Sequence, residues 1–151
     1  QVRRVIIEKL MSENENTDKK EFLKKIYFYL CNNRYAGEEF EKKKPRAWLY
    51  TIRGALLNGM CTSLGLALAW DYLLEMIGGI DTILMTGTVL RNGKTAQNAW
   101  NLVRLDGKYY HIDIGNQMTD KTDDPEAYFL LKDENLNELG YEWSAEVYPQ
   151  A

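Results

Sequence analysis

The sequence predicts an α+β fold. Three observations carry this. The first half of the chain spaces its apolar residues as helices do. The second half holds runs rich in β-branched residues. Those runs are separated by Asn92-Gly93 and Asp106-Gly107, both two-residue hairpin signals. Helices first and strands afterwards argue for helices packed on an antiparallel sheet rather than for alternating βαβ units. A chain of 151 residues suits a single domain over 1–151, with residues 1–20 as an N-terminal helix and polar loop at its periphery.

Residues 1–11 place Val2, Ile6 and Leu10 at helical spacing, and Ser12 to Lys20 reads as a polar loop. Asp18 with Glu21 three residues on fits a capping box. The helix that follows sets Phe22, Leu23, Ile26, Tyr27, Leu30 and Cys31 on one stripe, so Cys31 reads as a small buried hydrophobe. Residues 32–46 end in Lys42-Lys43-Lys44-Pro45-Arg46. With Glu38, Glu39 and Glu41 beside the cations, they read as a solvated irregular loop of mixed charge. From about Cys61 to Ile77 the chain is apolar almost all round, as in a helix buried at the centre of a domain, and Gly78-Gly79 stops it. Thr82 to Leu90, Ala96 to Leu105 and Lys108 to Ile114 then form a three-stranded meander. Residues 115–126 read as an acidic polar loop, and Tyr128 to Leu131 as a further edge strand.

The hairpins fix a register. If Asp106-Gly107 is a two-residue turn, Leu105 faces Lys108, Trp100 faces Asp113 and Asn98 faces Gly115. Alternation with period two then puts Asn98, Trp100, Leu102, Tyr109, His111 and Asp113 on one face. Asn98 and Asp113 become diagonal neighbours within side-chain reach. The Asn92-Gly93 hairpin sets Gly87 opposite Asn98, which leaves room above the sheet there.

Composition narrows the chemistry. With 19 Lys+Arg against 22 Asp+Glu the net charge is −3, which gives no footprint for nucleic acid or an anionic membrane. The longest uncharged run, Gly54 to Trp70, holds Asn58, Thr62, Ser63 and three glycines, and reads as a core helix with its preceding loop rather than a membrane span. The two cysteines do not make a disulfide framework, although one bridge between Cys31 and Cys61 is compatible with the count. His111 is the only histidine, so no His₂ or His₃ metal site can be built. Asp120, Asp123 and Asp124 lack the spaced oxygens and glycine of a calcium loop. No cofactor or metal is expected.

Three pieces of sequence together carry a resemblance. They are Gly59-Met60-Cys61 opening a long apolar helix, Asn98-Ala99-Trp100-Asn101 running on to Leu105-Asp106-Gly107-Lys108-Tyr109-Tyr110-His111-Ile112-Asp113, and the tail Tyr128-Phe129-Leu130-Leu131-Lys132-Asp133. Over roughly residues 20–143 the chain resembles the transglutaminase-like superfamily, a branch of the papain-like cysteine-enzyme fold. The resemblance implies a central Cys-bearing helix packed on an antiparallel sheet. It also implies a Cys-His-Asp triad, with the nucleophile position on Cys61 and the orienting acid on Asp113. The triad histidine, first in the family's His-Ala-Trp-Asn motif, falls on Asn98. An extracellular or cell-surface bacterial setting is implied by the resemblance alone.

A thiolate is the attacking species, and a helix N-terminus lowers a thiol pKa. An amide, however, neither takes nor gives a proton at neutral pH, so Asn98 cannot act as the base. The expected protein is therefore a degenerate, impaired member with Cys61, Asn98 and Asp113 in a cleft that binds a peptide or protein. Trp100, Gly59, Met60, Gly87 and His111 are expected near that cleft, and Cys61 is expected to be partly exposed. Neither nucleic-acid binding nor membrane insertion is expected. The alternatives are an active cysteine peptidase or acyltransferase using His111 or an unusual base, and an engineered His-to-Asn change at Asn98. Trp100 and His111 also read as sheet core, and Asp113 as a plain strand-end residue.

Overall fold

The computed structural model describes residues 18–44, 46–77 and 79–151 together with residues 5, 8–10 and 12, and helix α1 spans Lys19–Cys31. The reading of residues 1–11 through Val2 and Ile6 lies outside the described residues, as does most of the Ser12–Lys20 loop. Asp18 occupies the N-cap of α1 but makes no side-chain cap hydrogen bond, so the expected capping box is not formed. The stripe holds: Phe22, Leu23, Ile26, Tyr27 and Leu30 are buried, and Cys31 is half-buried against the same core.

The expected loop over 32–46 contains two short elements, strand β1 (Arg34–Tyr35) and helix α2 (Glu38–Lys43). A 3₁₀ turn (Ala47–Tyr50) and a π-type turn (Gly54–Asn58) follow. Gly59 ends the latter at φ 71°, a left-handed conformation that glycine adopts without Cβ strain. Strand β2 (Met60–Cys61) pairs parallel to β1, Met60 with Arg34 and Cys61 with Tyr35.

Helix α3 (Ser63–Ile77) therefore starts two residues later than the sequence suggested. Thr62 is the reason. Its Oγ1 accepts from the Gly65 amide at 3.3 Å, the hydrogen bond of an N-cap residue. The helix is not buried all round: Tyr72 and Met76 reach solvent, while Leu66, Trp70, Leu73 and Leu74 pack into the core with α1.

Strands β3 (Thr82–Arg91), β4 (Lys94–Leu105) and β5 (Lys108–Ile112) form the expected meander. Asn92, Gly93, Asp106 and Gly107 all have positive φ, the backbone of two-residue turns whose twist matches that of the strands. The register is as counted up to Ile112: Leu105 pairs with Lys108, Leu102 with His111, and Gly87 with Asn98. The pairs counted beyond it, Trp100 with Asp113 and Asn98 with Gly115, do not form, because β5 ends at Ile112 and Asp113 caps a helix over Ile114–Thr119 instead. A fourth strand, β6 (Tyr141–Glu142), pairs with the outer edge of β3 through Thr88–Glu142 and Val89–Tyr141. Tyr128–Leu131 is not an edge strand. It pairs with β5 through an isolated bridge between His111 and Leu131. The expected loop over 115–126 begins instead inside helix α4 (Ile114–Thr119), and helix α5 (Asp133–Glu138) precedes β6.

The sheet divides two cores. One face, with Val103, Leu105 and Ile112, packs against α3 and α1. The other, with Met85, Trp100 and Leu102, is covered by Tyr128, Leu136 and Tyr141 from the last third of the chain. No helix among the described residues is long and apolar enough to cross a membrane.

Candidate functional site

Asn98 and Asp113 meet where α3, the sheet and α4 converge. Asn98 Nδ2 donates to Asp113 Oδ2 at 2.7 Å. Asp113 is 1% exposed and caps α4, its Oδ1 accepting from the Asn116 amide at 2.9 Å. Tyr141, delivered by β6, donates from its hydroxyl to Asp113 Oδ2 at 2.6 Å and accepts from Asn116 Nδ2. A carboxylate out of water needs such donors, since burial without them is costly. Burial still pushes the Asp113 carboxyl above its ordinary value. The bonds from Tyr141, the Asn116 amide and Asn98, with the positive charge of Arg91, act the other way. Burial, then the nearby Asp113, raises the Tyr141 phenol well above its usual range, so it stays a donor.

Arg91, at the end of β3, closes the network. Its Nε donates to Asn116 Oδ1 at 2.8 Å, and one Nη2 serves both Asn116 Oδ1 and, at 3.2 Å, Asn98 Oδ1. Nη1 donates to the Tyr35 hydroxyl at 3.2 Å, and the guanidinium lies 5.7 Å from the Tyr35 ring centre. The Arg91 and Asp113 charges thus face each other across two asparagine amides, each donating to an acceptor on one side and accepting on the other. The amide of Asn98 suits this role: its oxygen meets a cation while its nitrogen meets an anion.

Cys61 lies in the core and not at an exposed cleft. It is 0% exposed and belongs to the core around α1 and α3, which corrects the expectation of a partly exposed cleft thiol carried on the helix. Its Cβ sits where neighbouring side chains would clash: a Cβ on Gly65 would come within 2.9 Å of it, and one on Gly54 within 3.2 Å. Neither cysteine is in a disulfide, so the bridge to Cys31 is not formed. The side chain that does stand at the helix start beside the Asn98 strand is Ser63, whose Oγ accepts from the Ala99 amide at 3.3 Å. A Cβ on Gly115 would lie 3.3 Å from Ser63 Cβ and 3.4 Å from Asp113 Oδ1, so α3 and α4 touch here. The sequence reasoning missed Ser63. The signal lay in Thr62, a favoured N-cap residue that makes position 63 the first helical one.

The other residues expected near the cleft are placed as follows. The room expected above Gly87 is filled: a Cβ there would lie 2.3 Å from the Glu142 carbonyl oxygen and 2.9 Å from the Trp100 ring. Trp100 is core and walls no open groove. Its ring meets Tyr141 edge-on at 5.2 Å, and its Nε1 donates to His111 Nδ1 at 3.0 Å. Because an indole nitrogen only donates, His111 Nδ1 must be an acceptor, and the ring proton sits on Nε2, 2.7 Å from Asp133 Oδ1. Both nitrogens are thus engaged away from Asp113. Burial lowers the imidazole pKa, opposed by the hydrogen bond and charge of Asp133. Met60 is half-buried on β2, and Gly59 serves the turn before it. An open pocket of about 380 Å³ lies elsewhere, between Gly107–Tyr110 and Lys132, Gln150 and Ala151.

A solved structure described as the crystal structure of a TGase superimposes on 99% of this chain with a TM-score of 0.62. The fold is transglutaminase-like. The two sequences are 15% identical, and the match spans 41% of the TGase chain. No family model and no curated protein matches the sequence.

Proposed function

We propose that this is a catalytically silent transglutaminase-like domain that binds a peptide or protein segment. One observation carries the proposal. Ser63 accepts from the Ala99 amide next to Asn98, Asn98 donates to Asp113, and Arg91, Asn116 and Tyr141 close over the pair; we read Ser63, Asn98 and Asp113 as standing at the nucleophile, base and acid positions of such a fold. A serine hydroxyl needs a base to attack an acyl group, and an amide supplies none. The arginine on the Asn98 oxygen supports an intrinsic asparagine rather than an engineered one. An imidazole there would set its second nitrogen against a guanidinium, which disfavours the imidazolium that acyl transfer requires. Against an active enzyme using Cys61 and His111 stand the burial of that thiol and the engagement of both imidazole nitrogens.

Thiol chemistry and turnover test this. At about pH 8, near the ordinary thiol pKa, a Cys31→Ser variant retaining Cys61 should release no chromophore from a disulfide reagent until it unfolds. The wild type should show neither peptidase nor amine-incorporation activity. Asn98→His alone should gain nothing, since no thiol stands at the helix start. Ser63→Cys with Asn98→His should gain a thiol that alkylates faster than that of Ser63→Cys alone. Rapid labelling of Cys61 in the native protein, or turnover abolished by Cys61→Ser, would overturn the reading.

A further inference from the structure

The segment leading into the site has a charge pattern the rest of the chain lacks. From Lys42 to Trp70 there are five basic residues, Lys42, Lys43, Lys44, Arg46 and Arg53, and no acidic one. The other fourteen basic and all twenty-two acidic residues leave the rest of the chain at −8. Lys43, Lys44, Arg46 and Arg53 are exposed, and large apolar side chains stand among them. Leu57 is 67% exposed, Tyr50 37%, and Trp48 is half-buried.

Contacts tie the turns that carry several of these groups together, with Glu41 among them. The Arg46 guanidinium lies 5.9 Å from the Trp48 ring centre. The Tyr50 hydroxyl donates to Glu41 at 2.6 Å, which ties the 3₁₀ turn to α2. The Trp48 carbonyl lies 2.8 Å from where a Cβ on Gly54 would stand, so the turn bearing Arg53 and Leu57 packs on the turn bearing Trp48. Arg53 and Leu57 are four residues apart and point to the same side of a helical turn.

We propose that this face is a docking surface for an acidic peptide segment carrying an apolar side chain. The proposal rests on the silent-domain reading above and names its partner. Charge complementarity selects the occupant. A short acidic segment can meet Lys43, Lys44, Arg46 and Arg53, whose stretch stays net positive (+2 over residues 38–53) even with Glu38, Glu39 and Glu41 beside it, whereas an anionic membrane or nucleic acid presents its charge to the acidic remainder of the chain as well. Leu57 and Trp48 offer the apolar contact around which such interfaces concentrate their affinity.

The test is fluorescence anisotropy of the full chain with two fluorescein-labelled peptides, one rich in Glu and Asp around a central Leu-Phe pair, the other with Ser-Ser in place of that pair. The Leu-Phe peptide should bind more tightly, and its affinity should fall steeply with salt. Lys43→Glu, Lys44→Glu and Arg53→Glu combined should weaken it by about tenfold or more, the loss per pair expected of close charges. Leu57→Ser should weaken binding without changing the salt slope. All four positions are exposed, so a thermal melt will show folding unaltered. Four outcomes would sink the docking surface: no binding, binding indifferent to the charge reversal, co-sedimentation with phosphatidylserine vesicles instead of peptide binding, or a dimer of this chain that the same variants dissociate. Turnover in the wild type together with peptide binding would sink the silent reading and leave the surface. Silence without binding would do the reverse.

Discussion

Gly87→Ala should destabilise the protein by about 3 kcal/mol, although the change adds one methyl group. An alanine methyl at this position would stand 2.3 Å from the Glu142 carbonyl oxygen, well inside the 3.0 Å that Cβ atoms essentially never breach. The obstacle is backbone, and a backbone atom cannot turn aside as a flexible side chain does. Trp100 blocks the other direction at 2.9 Å. Overpacking of this kind costs about 1–3 kcal/mol. Strand β6 is held by only two register pairs, so it is the element that gives way. Its retreat draws the Tyr141 hydroxyl from Asp113, a bond to a buried charged group contributing about 1.5–3 kcal/mol. The stiffer unfolded chain returns about 0.4–1 kcal/mol. At about 3 °C per kcal/mol for a domain of this size, the melting temperature should drop by about 9 °C. Thermal and urea unfolding measure it, and a double-mutant cycle with Tyr141→Phe tests the route. The two changes should be clearly less than additive, because each removes the same hydrogen bond. A melting temperature within about 1 °C of wild type, or full additivity, would refute the argument that β6 seats Tyr141 on the carboxylate.

Arg91→Met should cost about 2–3 kcal/mol, because it strips the Asn98 and Asn116 oxygens of a charged donor while they remain buried. The loss should be larger at neutral pH than near pH 4. The Asp113 pKa is already raised in the folded state, so stability falls as pH climbs through and above the unfolded carboxyl value, and removing Arg91 raises that pKa further. Equal losses at both pH values in urea titrations would contradict this. His111 works in the opposite sense. Its folded pKa is lowered, so the unfolded chain takes up the proton first; the stabilisation is complete above about 6.5 and is lost as pH falls below that value. As the only histidine in the chain, it should account for the imidazole part of any loss between about pH 6.5 and 5, and His111→Asn should flatten that slope. An unchanged slope would mean that the ring is protonated in the folded state.

How much of this was legible in the sequence depended on whether the signal was local. Asn92-Gly93 and Asp106-Gly107 fix their own backbone, so the meander register followed from counting, and Asn98 fell beside Asp113. The Asn98 network required more. Arg91 lies past the end of the apolar run and carries no periodic signal, and Tyr141 arrives on a strand of two residues that pairs with β3 only because the chain has folded back around it. Cys61 illustrates a different failure. A motif drew attention to the thiol, but Thr62 caps the helix after it, so Cys61 falls on β2 and Ser63 is the first helical residue. The acidic run after Asp113 looked like loop because Asp113 itself caps the helix hidden within it.

The network around Asp113 draws its members from Tyr35 near the beginning of the described chain to Tyr141 near its end. Closing loops of that length has an entropic cost that must be met before any of these bonds can form. The two hairpins, whose contacts are local, have no such delay. The order of events follows: the meander first, its edge sealed by β6 late. During synthesis, a nascent chain that has not yet released Tyr141 from the ribosome exposes the outer edge of β3 and leaves Asp113 one donor short. The interval before the tail emerges is therefore the time when this protein is most open to strand-edge pairing with its neighbours.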